Sequence, residues 1–300
     1  MKIAVAGLGR MGMQIAQKLA EDGHEVIAHN RSNEKVDKAA EFGAIKAYEK
    51  ADVVRAFAGE QAVVWVMVPA DAIEHELSQW LELLPQGSII IDGGNTDYRL
   101  DKQHSELVVS RDSALLDCGT SGGVWGYARG FSMMIGGDHT AFETVEPVFQ
   151  TLARPNGGYR YFGEPGSGHY VKMVHNAIEY GMMESLAEGY RMLKEGPYKN
   201  LDLVAAGDVW QQSSVITSWL NELTRDALKE NPELAGIDGY VAESGEARWA
   251  IETAQELSIP LPAIEASFQV RLESQQGKTN FATKLLSAMR NKFGGHQLNK

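Results

Sequence analysis

A chain of 300 residues with 44% hydrophobic and 23% charged residues has a globular composition and enough length for two domains. Its 28 Lys and Arg against 40 Asp and Glu give a formal net charge of −12, which opposes generic binding to nucleic acid or an anionic membrane. The single cysteine, Cys118, excludes an internal disulfide and fits a reducing compartment.

After Lys2 the chain enters an apolar strand, with no longer hydrophobic region and no small-residue cleavage site. No apolar run reaches membrane-spanning length, so a cytoplasmic protein is expected. KIAVAGL leads into GLGRMG, and MQIAQKLAED follows with Met13, Ile15, Ala16 and Leu19 at helical spacing. Strand, glycine turn and helix in that order form a dinucleotide fingerprint. Gly7 permits the tight turn, Gly9 lets a pyrophosphate approach, and Gly12 allows close helix packing. Leu8, Arg10 and Met11 complete the turn, and the helix N-terminus supplies donors to phosphate. A glycine turn that binds no dinucleotide is the bland alternative, weakened by the second strand, EVIAHN. That strand ends in His29, Asn30 and Arg31, followed by Ser32, where NAD enzymes commonly carry an acidic residue. Arg31 suits a 2′-phosphate instead, so NADP is expected ahead of NAD, unless Arg31 is a solvated loop cation.

AVVWVMVP, which includes Val68, and SIIIDGGN have the composition of buried parallel strands, separated by a helical segment from about Asp71 to Leu84. ALLDCG and FSMMIGG supply two more strands. The alternation to about Phe162 predicts an α/β fold: a doubly wound Rossmann-type sheet, with ligands outside the carboxyl ends of its strands. Asp92-Gly93-Gly94-Asn95 and Thr120-Ser121-Gly122-Gly123 follow such ends; Asn95 and Ser121 offer hydrogen bonds there, although each segment alone could be a mere turn. GEPGSGH reads as a hinge-like turn. Beyond it, helical segments near 169–194, 202–229, 243–257 and 262–290 predict an all-α second domain. The expected domains are 1–163 and 164–300.

HYVKMVHNAIEYG, His169 to Gly181, begins that helical half. Lys172, His175, Asn176 and Glu179 share one stripe of the helix, at offsets of three, four and seven residues. Seven residues rise about 10 Å, so Lys172 and Glu179 can bracket a ligand several carbons long. A buried polar network is the bland reading. Four convergent polar groups after a dinucleotide domain favour catalysis.

GLGRMG, HNRS, IIIDGGNTDYR, GTSGGVWGYARG, GSGHYVKMVHNAIEYGMME and RNKFGGH together resemble the 6-phosphogluconate dehydrogenase family, in a short form with a reduced helical domain. VKMVHNAIEYG with IDGGN and SGG is the specific part, whereas the glycine fingerprint is shared by all β-hydroxyacid dehydrogenases. The resemblance implies oxidative decarboxylation of 6-phosphogluconate to ribulose 5-phosphate and carbon dioxide, with reduction of NADP or NAD. It gives Lys172 the proton of the 3-hydroxyl and makes Glu179 the acid that protonates carbon 1 of the enediol. His175 and Asn176 match substrate-holding residues, and Asn95, Ser121, Gly122 and Gly123 match substrate or nicotinamide contacts. Tyr180 matches a phosphate-site tyrosine. Arg290 and His296 match residues inserted into a partner's site, which implies a homodimer, with a homotetramer as the larger alternative.

A lysine near its ordinary pKa of about 10.4 is mostly protonated at neutral pH, so its use as a base requires desolvation or nearby positive charge. A β-keto acid decarboxylates without a metal, and the sequence offers no compact ligand cluster, so no metal is expected. Two other readings stand beside this one: a non-decarboxylating enzyme of the 3-hydroxyisobutyrate or tartronate semialdehyde type, and a catalytically silent NADP-binding sensor. Glu179 discriminates against the first, and Lys172 together with Glu179 against the second.

Overall fold

The computed structural model describes residues 1–296 and Leu298; Gln297, Asn299 and Lys300, at the end of the expected tail, lie outside the described residues. The chain divides into two compact units, Met1–Met173 and Val174–Lys300. That division falls inside a helix, later in the chain than the expected boundary at 163/164.

The first unit alternates strands and helices in the order β1 (Lys2–Ala6), α1 (Arg10–Glu21), β2 (Glu25–His29), α2 (Asn33–Ala40), β3 (Ile45–Ala47), α3 (Lys50–Phe57) and β4 (Val63–Val66). It continues with α4 (Ile73–Leu83), β5 (Ile89–Asp92), α5 (Tyr98–Val109), β6 (Ala114–Ser121), α6 (Gly126–Arg129), β7 (Ser132–Gly137), α7 (His139–Ala153) and β8 (Gly158–Gly163). One eight-stranded sheet results, ordered β3-β2-β1-β4-β5-β6-β7-β8. Its strands are apolar along their length because both faces are covered. Ile3 and Val5 of β1 pack with Ile15, Leu19, Trp65 and Phe149. Their neighbours Ala4 and Ala6 pack on the other face with Ile27, Leu77 and Trp80.

The sheet departs from a fully parallel one at β7, which runs antiparallel to β6. Only the short segment 122–131 joins those strands, too little for a crossover helix of ordinary length. The helix after the glycine turn starts at Arg10, before the apolar spacing begins, because the Gly9 carbonyl accepts from the Met13 N–H at 3.0 Å.

The helix α8 (Ser167–Glu195) crosses from the first unit into the second. The last three residues of the expected hinge GEPGSGH, Ser167 to His169, therefore belong to its first turn. The second unit continues with α9 (Leu203–Trp210), α10 (Trp219–Glu230), α11 (Glu246–Glu256), α12 (Pro262–Gln275) and α13 (Phe281–Gly294). Two segments read as single helices, 202–229 and 262–290, are each two. Ser218 and Asn280 supply the breaks, since each side chain accepts backbone N–H groups at the start of a new helix. Met183, Ala187 and Tyr190 of α8 meet Leu228, Leu285, Leu286 and Met289 in this unit's core. Among the described residues, no helix is long and apolar enough to cross a membrane.

Candidate active site

The carboxyl ends of β1, β4, β5 and β6 lie side by side in the sheet, and the fingerprint sits at the first of them. Gly7 has φ +101°, and a Cβ there would stand 2.3 Å from the Met67 carbonyl oxygen at the end of β4. A Cβ on Gly12 would stand 2.0 Å from the Gly7 oxygen, so that glycine closes α1 onto the turn. Gly9 is different: nothing lies within 4 Å of its missing side chain, and no side chain caps α1. At Gly9 the turn therefore presents open backbone at the helix N-terminus, which fits a dinucleotide pyrophosphate.

Arg10 is exposed and Met11 half-buried, while the Leu8 side chain lies in the core. Its N–H donates to Asn30 Oδ1 at 2.9 Å, so neither the side chain nor the N–H of Leu8 is open to a cofactor. Asn30 consequently holds the turn in shape. Arg31 and Ser32 are exposed beyond the end of β2, with no acidic residue between β2 and α2.

Val68 and Asn95, both partly buried, follow β4 and β5. Asp92 shapes the turn before Asn95 by accepting from Gly94 N at 3.0 Å and Thr96 Oγ1 at 2.6 Å. At the end of β6, Ser121, Gly122 and Gly123 are partly buried. The loop they open is tied to α1 by Gln14, which donates to the Val124 carbonyl at 3.0 Å and accepts from Tyr127 N at 3.1 Å.

Lys172 stands beside β6. A Cβ on Gly119 would fall 2.2 Å from Lys172 Cβ and 2.8 Å from its Cγ, so the lysine stem lies across a glycine backbone. The residue is 9% exposed. Next to it, Asp117 of β6 accepts the N–H groups of Gly166 and His169, both at 2.9 Å, and caps α8. His169 Nδ1 pairs with Asp101 Oδ2 of α5 at 2.8 Å. Burial raises the Asp101 carboxyl to about 7 against the pull of His169. Burial also opposes charge on His169, but the Asp101 carboxylate outweighs it and raises the imidazole to about 10. The carboxylate and the imidazole thus favour each other's charged form against the burial that opposes both.

Asp92, Asp101 and His169 bring ligand atoms within 4.8 Å of one another, a juxtaposition that no spacing in the sequence announced. Asp92 is occupied by Gly94 and Thr96, and His169 by Asp101. Asp92 and the Asp101–His169 pair thus lie side by side, each bonded to partners of its own.

In the second unit, His175 Nδ1 lies 2.8 Å from Asn176 Oδ1, and Asn176 donates to Glu246 of α11. One turn on, the ring of Tyr180 carries the Arg271 guanidinium 3.2 Å from its centroid. The Tyr180 hydroxyl accepts from Ser244 N at 3.2 Å. Arg271 is 2% exposed and Arg290 7% exposed. Burial lowers both guanidiniums, Arg271 to about 10, while Tyr180 and Glu179 oppose that shift in each. Glu179 thus faces two buried cations. Glu184, one turn further, is raised to about 7 by burial and by Glu188, against the pull of Arg271.

Two of these positions belong to the expected tail. Arg290, expected in a partner's site, is buried beside Tyr180 and Glu179 of its own chain, because α13 packs Leu285, Leu286 and Met289 into its own unit. His296 turns back on α13, its ring centroid 6.2 Å from that of Phe293 and its carbonyl accepting from Asn291 at 2.8 Å. Sequence reasoning missed Arg271, Glu246 and the Asp101–His169 pair. Arginine on a helix ordinarily signals solvent, and the only hint of the pair was a histidine in a segment read as a turn.

Residues 2–163 match the NAD-binding domain of 6-phosphogluconate dehydrogenase, and residues 168–300 match its C-terminal domain. The chain belongs to the 6-phosphogluconate dehydrogenase family. Over 300 residues it is 38% identical to the NAD⁺-dependent, decarboxylating 6-phosphogluconate dehydrogenase of Haloferax volcanii, covering 99% of this chain and 98% of that one. It is 37% identical, over the full length of both chains, to a Bacillus subtilis protein provisionally named a 6-phosphogluconate dehydrogenase. Among solved structures, Plasmodium falciparum 6-phosphogluconate dehydrogenase, studied with NADP⁺ and with 6-phosphogluconate, superposes with a TM-score of 0.83 at 26% identity, covering 96% of this chain and 70% of that one. A 3-hydroxyisobutyrate dehydrogenase of Salmonella typhimurium shares the fold, with a TM-score of 0.77 at 19% identity, covering 95% and 99%. The family makes this chain an oxidoreductase with a nicotinamide cofactor.

Proposed function

We propose that this member of the family oxidises and decarboxylates 6-phosphogluconate to ribulose 5-phosphate. The observation that carries the reading is the stripe on α8, where Lys172 lies against Gly119 at the cofactor edge and Glu179 follows two turns later beside Arg271 and Arg290. Gly7, Gly9, Gly12 and the N-terminus of α1 would hold the pyrophosphate, and Val68 and Asn95 would border the nicotinamide. When bound, the cofactor accepts the hydride from carbon 3.

Lys172 takes the proton of the 3-hydroxyl as that hydride leaves. Its stem is held against Gly119 and the residue is largely withdrawn from water, which fixes where the base can act. The resulting 3-keto group receives the electrons of the breaking carbon–carbon bond, so carbon dioxide departs and an enediol remains. Glu179 then delivers a proton to carbon 1. His175 and Asn176, fixed to each other and to Glu246, hold the sugar hydroxyls; Ser121, Gly122 and Gly123 line the reacting end. Arg271, stacked on Tyr180, and Arg290 supply the local positive charge that an anionic substrate needs in a protein of net charge −12. Exposed Arg31 favours NADP over NAD. Assembly as a homodimer belongs to the same reading, with Arg290 serving the chain that carries it.

The test is reduction of NADP and of NAD by 6-phosphogluconate, followed together with carbon dioxide release. Equal amounts of reduced cofactor and carbon dioxide are expected, with NADP preferred. Cofactor reduction by a small 3-hydroxy acid without carbon dioxide would replace this reading with that of a simple β-hydroxyacid dehydrogenase.

A further inference from the structure

Lys172 has no freedom to find its own position. Its stem crosses Gly119, and the helix that carries it is fastened one turn earlier at His169. At that residue the backbone N–H donates to Asp117 of β6, and the side chain donates from Nδ1 to Asp101 of α5. Both carboxylates belong to neighbouring elements of the sheet unit, and both are buried, as is the imidazole at 2% exposure. The imidazole Nε2 has no hydrogen-bond partner among the described residues, so the ring's orientation rests on the Asp101 bond. His169 and Lys172 are three residues apart, on adjacent turns of one helix face. A rotation of α8 about its axis would break the His169–Asp101 bond and slide the lysine stem off Gly119 together.

We infer that Asp101 and His169 are positioning residues for catalysis: their buried bond fixes the rotation of α8 and thereby the place of the Lys172 amine. The inference rests on the reading of Lys172 as the base. A general base works only within hydrogen-bond reach of its proton, so a small rotation of the helix lowers the rate of the oxidation step while leaving the dinucleotide turn untouched. The buried charges at His169 and Asp101 make the bond directional and costly to leave half-made.

Two amides at position 169 separate this role from mere support. In His169→Asn the amide nitrogen takes the place of Nδ1 and can still donate to Asp101; in His169→Gln it takes the place of Nε2 and cannot. Both keep a polar group of similar size. His169→Asn is expected to retain kcat within about threefold of wild type, and His169→Gln to lose about tenfold or more, measured per cofactor-binding site. The Kd for NADP should stay within about twofold in both. With substrate deuterated at carbon 3, the isotope effect on kcat should rise in His169→Gln alone, because hydride transfer with a misplaced base becomes rate-limiting.

Equal kcat and equal isotope effects in the two variants would overturn the inference. So would failure of His169→Gln and of Asp101→Leu to fold while His169→Asn folds normally, since the pair would then hold the fold and not the lysine. A Lys172→Met enzyme with normal turnover would instead remove the underlying reading of the base, and that control separates the two failures.

Discussion

At the scale of single residues, the structure gives Lys172 and Glu184 opposite significance. Lys172 was legible from spacing alone, since a lysine on an otherwise apolar helix turn invites a functional reading, and its burial beside Gly119 supports the proposed role. Lys172→Met is expected to lower kcat by about three orders of magnitude or more with NADP affinity nearly unchanged, because the dinucleotide turn lies elsewhere in the unit. Measurement of both quantities on one preparation checks it.

Glu184 drew no attention in the sequence, where a glutamate on a helix reads as solvated. It is 8% exposed, and burial raises its carboxyl to about 7. The folded state therefore binds this proton more tightly than the unfolded state does. The stability it contributes is fully present below the unfolded pKa, about 4.5, and is lost as pH rises through about 7. Glu184→Gln should accordingly be more stable than wild type at pH 8, by about 1–3 kcal/mol, and indistinguishable near pH 4.5. Urea unfolding at the two values decides it; greater wild-type stability at pH 8 would mean that attraction to Arg271 outweighs burial.

At the scale of elements, the strands and the fingerprint were readable because a parallel strand covered on both faces must be apolar throughout, and a tight turn before a helix must use glycine. KIAVAGL and GLGRMG state both conditions locally. Long-range juxtapositions were not readable. Nothing around Cys118-Gly119-Thr120 says that a helix some fifty residues later lies across that glycine, and the reversal of β7 follows from a connection length whose meaning depends on where β6 ends. Segments 202–229 and 262–290 were read as unbroken because apolar spacing continued across Ser218 and Asn280, whose capping role depends on which backbone N–H groups they meet.

The contact between β6 and α8 gives an element-scale expectation. In Gly119→Ala the new Cβ would overlap Lys172 Cβ at 2.2 Å, so α8 must move away from β6 or the lysine must turn aside. Overpacking of this kind costs about 1–3 kcal/mol, and kcat should fall about tenfold or more while NADP affinity holds. An alanine variant with wild-type kcat would show that the stem of Lys172 is not fixed by this contact.

At the scale of the whole molecule, the question is whose arginine completes whose site. Residue matching in RNKFGGH implied a tail that enters a partner, yet Arg290 is buried beside Tyr180 and Glu179 of its own chain. Leu285, Leu286 and Met289, all fully buried, hold α13 there, and each contributes about 1.5–3 kcal/mol through burial. The connection from α12 is also closed tightly, with Asn280 accepting from Ala282 N at 2.8 Å and Thr283 N at 3.2 Å. Extending α13 towards another subunit would open that cap and strip those side chains from the core unless a partner's helix replaced them.

Mixing two inactive variants under verified subunit exchange separates the arrangements. Glu179→Gln keeps Arg290, and Arg290→Ala keeps Glu179. If the arginine crossed to the partner, mixed dimers would contain one intact site, and random pairing would return about a quarter of wild-type activity. With Arg290 serving its own chain, no site in any mixed dimer holds both native residues. The expected outcome is therefore no recovery above the parent variants, and recovery near a quarter would place Arg290 in the neighbouring subunit's site.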